Sequence, residues 1–255
     1  MLFPIIFLFP RAKSYGKTPD QIPTLSSSSI KKRYIVLTAG FPTALSWGYI
    51  KEIPKTTAPA EKTKKRRAWS PDQVAKILDH IKDDKLLHLA IHIGFVCSLR
   101  EGEVAGIDLK TIDLKESSLW IIRQVQRVSD ASLKEIPKDE LIKVFPKKVA
   151  NSKSSLILKK PKTDGSHRKQ YITTPLVHEI AERIQQIQRC KDFFQEEYQD
   201  HGLLICQPDG TPLDPCYLVK GFRKCQQEMG IPEEERIDFQ ASILPFHCAC
   251  FSSAI

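Results

Sequence analysis

No apolar run in this 255-residue sequence is long enough to cross a bilayer as a helix, which takes about 20 residues. The start, "MLFPIIFLFPRAK", is apolar for ten residues, but it holds two prolines and no basic stretch precedes it. It is a poor signal peptide; an unstructured or misread start is the expectation for residues 1–26. The seven cysteines are odd in number and form no framework: Cys97, Cys190, Cys206, Cys216 and Cys225 stand apart, and only Cys248 and Cys250 lie close together. That argues against a secreted disulfide scaffold and for reduced cytosolic thiols. His247-Cys248-x-Cys250 lacks a second ligand pair at finger or ribbon spacing, so no metal is expected. No internal repeat is present. Acidic residues are in deficit, with 30 Asp and Glu against 39 Lys and Arg, for a net charge of +9. Such an excess favours polyanionic partners, nucleic acid before an acidic membrane surface. At 41% hydrophobic, the chain has a globular composition.

From Ser27 to Lys55, Ile30, Tyr34, Leu37, Phe41, Ala44, Leu45 and Tyr49 recur at helical spacing, with serines in place to cap. Pro42 is expected to kink or interrupt that helix. "TTAPAEKTKKRRA" follows as an extended basic linker over residues 56–67. A second unit opens at "SPDQ", a capping box with proline at the first helical position. Val74, Ile77, Leu78 and Ile81 continue its apolar face, and "LLHLAIHIGFVC" is a more fully apolar helix. His88 and His92, four apart on it, stand among apolar residues with no evident carboxylate partner and read as core or edge histidines. Ser98 and Glu101 suggest a second capping box, placing Arg100 in the first turn of a short helix that ends near Gly106.

"SLWIIRQV", "SLILKK" and "KQYITT" are rich in β-branched residues and read as three antiparallel strands. "PKTDGSHR" is the turn between the second and third, and residues 134–153 form a long basic insertion. "PLVHEIAERIQQIQRCKDFF" and "PCYLVKGFRKCQQEMG" are helical, the latter stopped by Gly230, with "LLICQPDGTPLD" a short strand and turn between them.

Arg100 raises the functional question. It is followed three residues later by Glu103, and the surrounding positions look like core. An arginine there either makes a surface ion pair worth about 0.2–0.5 kcal/mol or waits for an anion supplied by a ligand.

The order "LREGEVAGIDLKTIDL", then "KPKTDGSHRKQYITTPL", then "GTPLDPCYLVKGFRKCQQEMGI" resembles the catalytic domain of the tyrosine recombinases, the phage-integrase family. "IKKRYIVLTAGFPTALSWGYIKEIP" is similar to the last helix of the core-binding domain that precedes it in that family. The resemblance implies an α+β, mainly α fold. It would be a helical bundle with a small three-stranded antiparallel sheet over residues 68–240, preceded by a core-binding remnant over 27–55. It implies that Arg100 neutralises the non-bridging phosphate oxygens in DNA strand cleavage, where a guanidinium stays charged and donates in a fork. Glu103 would orient it without touching DNA, and Lys162 would protonate the leaving 5′ oxygen. Lys64, Lys65, Arg66 and Arg67 of the linker, with Lys160 and Arg168, are the expected DNA contacts. The implied partners are double-stranded DNA and other recombinase protomers in the cytoplasm, with no membrane and no small-molecule cofactor.

The pattern breaks after Phe239, where the chain reads "QASILPFHCACFSSAI". The family requires a His-x-x-Arg box and a tyrosine nucleophile here. His247 is followed three residues on by Cys250, no arginine follows Arg236, and no tyrosine follows Tyr217. Tyr217 falls inside a helix as an expected core residue and is rejected as nucleophile. The tail from residue 241 is expected to be aberrant, from a frameshift or truncation, and the chain is expected to bind DNA without cutting it. The other reading is a non-catalytic DNA-binding module that occupies recombination sites or modulates an intact recombinase.

Overall fold

The computed structural model describes residues 26–60, 70–161 and 167–239. The chain divides into two compact units, Met1–Lys65 and Arg66–Ile255.

In the first unit, Ser26 caps α1 (Ser27–Ser46), its hydroxyl accepting from the Ser29 N–H at 3.2 Å. The helix runs through Pro42 and is not interrupted there. One turn earlier, Thr38 folds its hydroxyl back onto the Tyr34 carbonyl at 2.9 Å, a contact that goes with bent helices. None of the residues of α1 is buried. The Tyr34 hydroxyl meets Thr56 Oγ1 at 3.0 Å and ties the following segment to the helix.

The second unit carries the core. Its α2 (Pro71–His80) opens on the expected capping box, with Ser70 and Gln73 each bonding the other's backbone N–H. In α3 (Lys85–Val96), Leu87, Leu89, Ala90, Ile91, Ile93 and Phe95 are all buried. The short α4 (Glu101–Ala105) follows, then β1 (Ile112–Asp113), β2 (Ser118–Ile121), β3 (Gln124–Ser129), α5 (Asp130–Leu133), β4 (Leu141–Val144), β5 (Ser154–Lys159) and β6 (Arg168–Tyr171). Two longer helices complete the unit, α6 (Thr174–Phe194) and α7 (Pro215–Glu228). Gly230, at φ +70°, ends α7, and the Ile231 N–H closes on the Gln226 carbonyl at 3.0 Å. Phe222 of α7 stacks edge-on against Phe95 and Phe239, with ring centroids 5.8 and 5.9 Å apart, and seals the α3–α7 contact.

The fold is mainly helical with antiparallel sheet, as the sequence implies, but there are two small sheets, ordered β1-β2-β6 and β3-β5-β4. The single run "SLWIIRQV" is divided between them because Arg123, between β2 and β3, turns inward. Its Nε and Nη2 donate to the carbonyls of Gly106 and Gly202 at 3.3 and 2.9 Å. The insertion over 134–153 is more than a basic loop, since it supplies β4, paired with β5. The strand expected in "LLICQPDGTPLD" reduces to two isolated bridges, Asp108–Leu203 and Cys206–Pro212. Among the described residues no helix is long and apolar enough to cross a membrane.

Two glycines bring α4 down onto β3. A Cβ on Gly102 would lie 2.7 Å from the Val125 carbonyl oxygen, and one on Gly106 would lie 2.6 Å from Gln124 Cα. Both obstacles are backbone, which cannot rotate away. Gly106→Ala should therefore cost about 1–3 kcal/mol, as overpacking does, and lower the thermal midpoint by several degrees. An unchanged midpoint would mean that α4 does not sit on β3 as described.

Candidate nucleic-acid interface

Arg100 is the N-cap of α4, in extended backbone (φ −73°, ψ 154°), two positions earlier in the helix than a box built on Ser98 would place it. The reciprocal partner is Glu103. Its carboxylate accepts from the Arg100 backbone N–H at 3.0 Å, so that N–H is not available to an anion. Ser98 instead takes a positive φ of 51° and turns the chain from α3 into Arg100.

The carboxylate of Glu103 is 2% exposed, and two guanidinium groups reach it. Arg168 forms a fork on it, Nη2 to Oε2 at 2.9 Å and Nη1 to Oε1 at 3.4 Å. Arg100 offers Nη1 to Oε1 at 3.4 Å. The two arginines differ in access, with 59% of the Arg100 side chain exposed against 28% for Arg168. Glu103 is thus neutralised chiefly by Arg168, which leaves most of the Arg100 guanidinium facing solvent. Register puts Arg168 there, because β6 pairs antiparallel with β2 and sets Arg168 opposite Ile121. Cys97, where α3 ends, packs nearby. Burial pushes its thiol up to about 12, against the opposing pull of Arg168, so it is a packing residue rather than a nucleophile.

Two further features were not legible in the sequence. Arg123 and Asp108 form an ion pair at 3.0 Å, each side chain largely buried. Burial lowers the Arg123 guanidinium from its ordinary value and Asp108 opposes that. Arg183 of α6 is buried and donates to the carbonyls of Leu204 and Cys206 at 3.1 and 2.6 Å, fixing the segment before α7. The only sequence signal for either arginine is a charge set inside an apolar pattern.

His88 and His92 do have a carboxylate partner, contrary to the expectation of unpartnered core histidines. Their Nδ1 atoms lie 3.1 and 2.8 Å from the two oxygens of Glu179 on α6. Tyr217 is exposed, not core, and its hydroxyl reaches Asp84 Oδ2 at 3.3 Å. Burial and then Asp84 raise the phenol above its usual value.

Lys160 is exposed at the end of β5, held there by its backbone N–H on the Glu140 carbonyl at 2.9 Å. Part of the basic insertion is engaged within the protein, with Lys147 on Asp130 at 2.8 Å and Lys143 on His201 at 2.9 Å. Lys162 and the linker residues Lys64, Lys65, Arg66 and Arg67 lie outside the described residues, as do His247, Cys248 and Cys250.

No family model matches the sequence. A curated protein from Caldanaerobacter subterraneus subsp. tengcongensis, "Tyrosine recombinase XerC-like", is 24% identical over 220 residues, covering 81% of this chain. The chain spans about half the length of that relative, 52%. The Tn1549 transposon integrase in complex with a circular intermediate DNA matches in fold with a TM-score of 0.63 at 17% identity. The match covers 86% of this chain and 65% of that one. A lambda integrase dimer bound to a COC′ core site matches at a TM-score of 0.51 and 15% identity, over 85% of this chain and 64% of that one.

Proposed function

We propose, on the support that sequence and fold give to a tyrosine recombinase/integrase family, that this chain binds double-stranded DNA as a recombinase-type domain in DNA integration and recombination. The observation that carries the proposal is the solvent-facing Arg100 guanidinium backed by a buried carboxylate that Arg168 neutralises. A backbone phosphate takes the open side of the guanidinium fork. Glu103 acts as a positioning residue, and Arg168, expected from the sequence as a DNA contact, holds Glu103 with its fork and keeps its exposed part for a phosphate. In this reading Lys160, Lys162 and the linker cations Lys64, Lys65, Arg66 and Arg67 add phosphate contacts, and Lys162 is the residue that would protonate a leaving 5′ oxygen. A second copy of the chain on the same duplex belongs to this reading, as do relatives that act on DNA.

In this reading the 255-residue chain grips DNA without cutting it. Residues after Phe239 offer no arginine to complete phosphate neutralisation and no tyrosine to form a covalent intermediate. The test is a titration of duplex DNA across salt concentrations, paired with a denaturing gel on a nicked suicide duplex. Affinity should fall steeply with salt as phosphate contacts release counterions. Changing Lys64, Lys65, Arg66 and Arg67 together to alanine should flatten the slope, and no covalent adduct should form. Salt-independent binding would remove the DNA reading, unchanged binding by the fourfold variant would remove the linker from the contacts, and a phosphotyrosyl adduct would remove the claim of no cleavage.

A further inference from the structure

We infer that His88, His92 and Glu179 form a site for a divalent transition ion, zinc by preference, that clamps α3 to α6. The two histidines are one helical turn apart on α3, and the carboxylate comes from α6 across the packed face between the helices. The Nδ1 atoms of His88 and His92 lie 3.1 and 2.8 Å from different oxygens of Glu179. One ligand atom from each of the three residues lies within 4.8 Å of the other two. A tetrahedral ion with ligands at about 2.0–2.1 Å holds its donor atoms roughly 3.3–3.4 Å apart. The His88 distance of 3.1 Å is close to that spacing, and the His92 distance of 2.8 Å is about half an ångström inside it, so the ring and the carboxylate part slightly to admit the ion. Each imidazole must carry its hydrogen on Nε2 instead of Nδ1, which frees the Nδ1 lone pair for the ion and leaves both rings neutral. Two imidazoles and one carboxylate select zinc, cobalt, nickel or copper over magnesium and calcium, which take oxygen ligands.

Access is compatible with binding. The side chains of His88, His92 and Glu179 are 20, 15 and 26% exposed, so an ion enters from solvent and keeps its fourth position for water. Nothing in the phosphate chemistry proposed for Arg100 uses these three residues. Their link to it is mechanical, since α3 runs directly into the turn that carries Arg100. An ion bridging α3 and α6 stabilises the folded state by mass action.

The experiment titrates zinc, then cobalt, into the metal-free full chain, with calorimetry, thermal melting and the visible cobalt spectrum as readouts. One ion should bind per chain at this site. At a hundredfold excess over its Kd the midpoint should rise by roughly 5–10 °C. The cobalt spectrum should show a tetrahedral d–d band with no sulfur charge-transfer band. His92→Gln and, separately, Glu179→Gln should each weaken binding by more than about tenfold, since even outer partners of ligands are worth that much. Glu179→Gln keeps an oxygen acceptor for one histidine and presents an amide donor to the neutral Nδ1 of the other, so it separates loss of the ion from loss of the hydrogen-bonded contact. Binding that survives in both variants, a sulfur charge-transfer band, or no saturable binding would each overturn the site; the second would place the ion on the cysteines.

Discussion

Replacing Arg168 by alanine should destabilise the domain by about 3–5 kcal/mol, the usual consequence of stranding one member of a buried ion pair. Glu103 is 2% exposed, and its shortest charged contact is Arg168 at 2.9 Å. Without that fork the carboxylate keeps the Arg100 backbone N–H at 3.0 Å and a long contact to the Arg100 side chain at 3.4 Å. Neither replaces a bidentate guanidinium in a site closed to water. Chemical denaturation of Arg168→Ala and Arg100→Ala side by side measures the asymmetry. The Arg100 variant should lose less than about 1 kcal/mol, because its side chain is 59% exposed and exposed pairs contribute little. Adding Glu103→Gln to the Arg168→Ala background should recover part of the loss, since an amide still accepts from the Arg100 N–H but carries no charge. No recovery would mean that the cost arises from packing rather than from an unpaired charge.

The second large effect is expected at Asp108. Its carboxylate pairs with Arg123 at 3.0 Å and also accepts from the Lys110 N–H at 3.0 Å, where it caps the turn over Leu109–Thr111. Asp108→Ala leaves Arg123 buried with only the Gly106 and Gly202 carbonyls as acceptors. A loss of about 3 kcal/mol is expected, at the low end for a broken buried pair because those carbonyls remain. Urea denaturation checks it, with the midpoint falling and the slope unchanged. A loss below about 1 kcal/mol would show that the pair is better hydrated than its burial implies. Asp108, β2 and β3 are joined through Arg123, so loss of the pair should loosen the point where the chain leaves one sheet for the other.

The parts of this structure that the sequence announces are those set by neighbouring residues. The Ser70–Gln73 box, the apolar face of α3 and the glycine that ends α7 are all local signals, and the helices stand where they imply. The place of Arg100 at the start of a short helix is also set locally, by Glu103 three residues on. What supports Arg100 is not, because Arg168 lies 65 residues beyond Glu103 and reaches it only through the pairing of β6 with β2. The division into two sheets was hidden for the same reason. It depends on Arg123 finding a carbonyl 79 residues away, whereas "SLWIIRQV" by itself reads as one strand. His88 and His92 showed their helical spacing, but Glu179 is 91 and 87 residues distant from them. At Pro42 the local rule allowed either a kink or a break, and α1 runs through it unbroken.

The most direct test of the central claim is a duplex-DNA titration of Arg100→Ala against the unaltered chain over a range of salt, with both thermal midpoints measured in the same buffers. An exposed guanidinium that grips one phosphate predicts nearly equal midpoints, weaker binding on every sequence tested, and a salt slope smaller by about 0.9, the counterion share of one phosphate contact. Equal affinity and slope in the two proteins, or weaker binding that merely follows a collapse in stability, would contradict it.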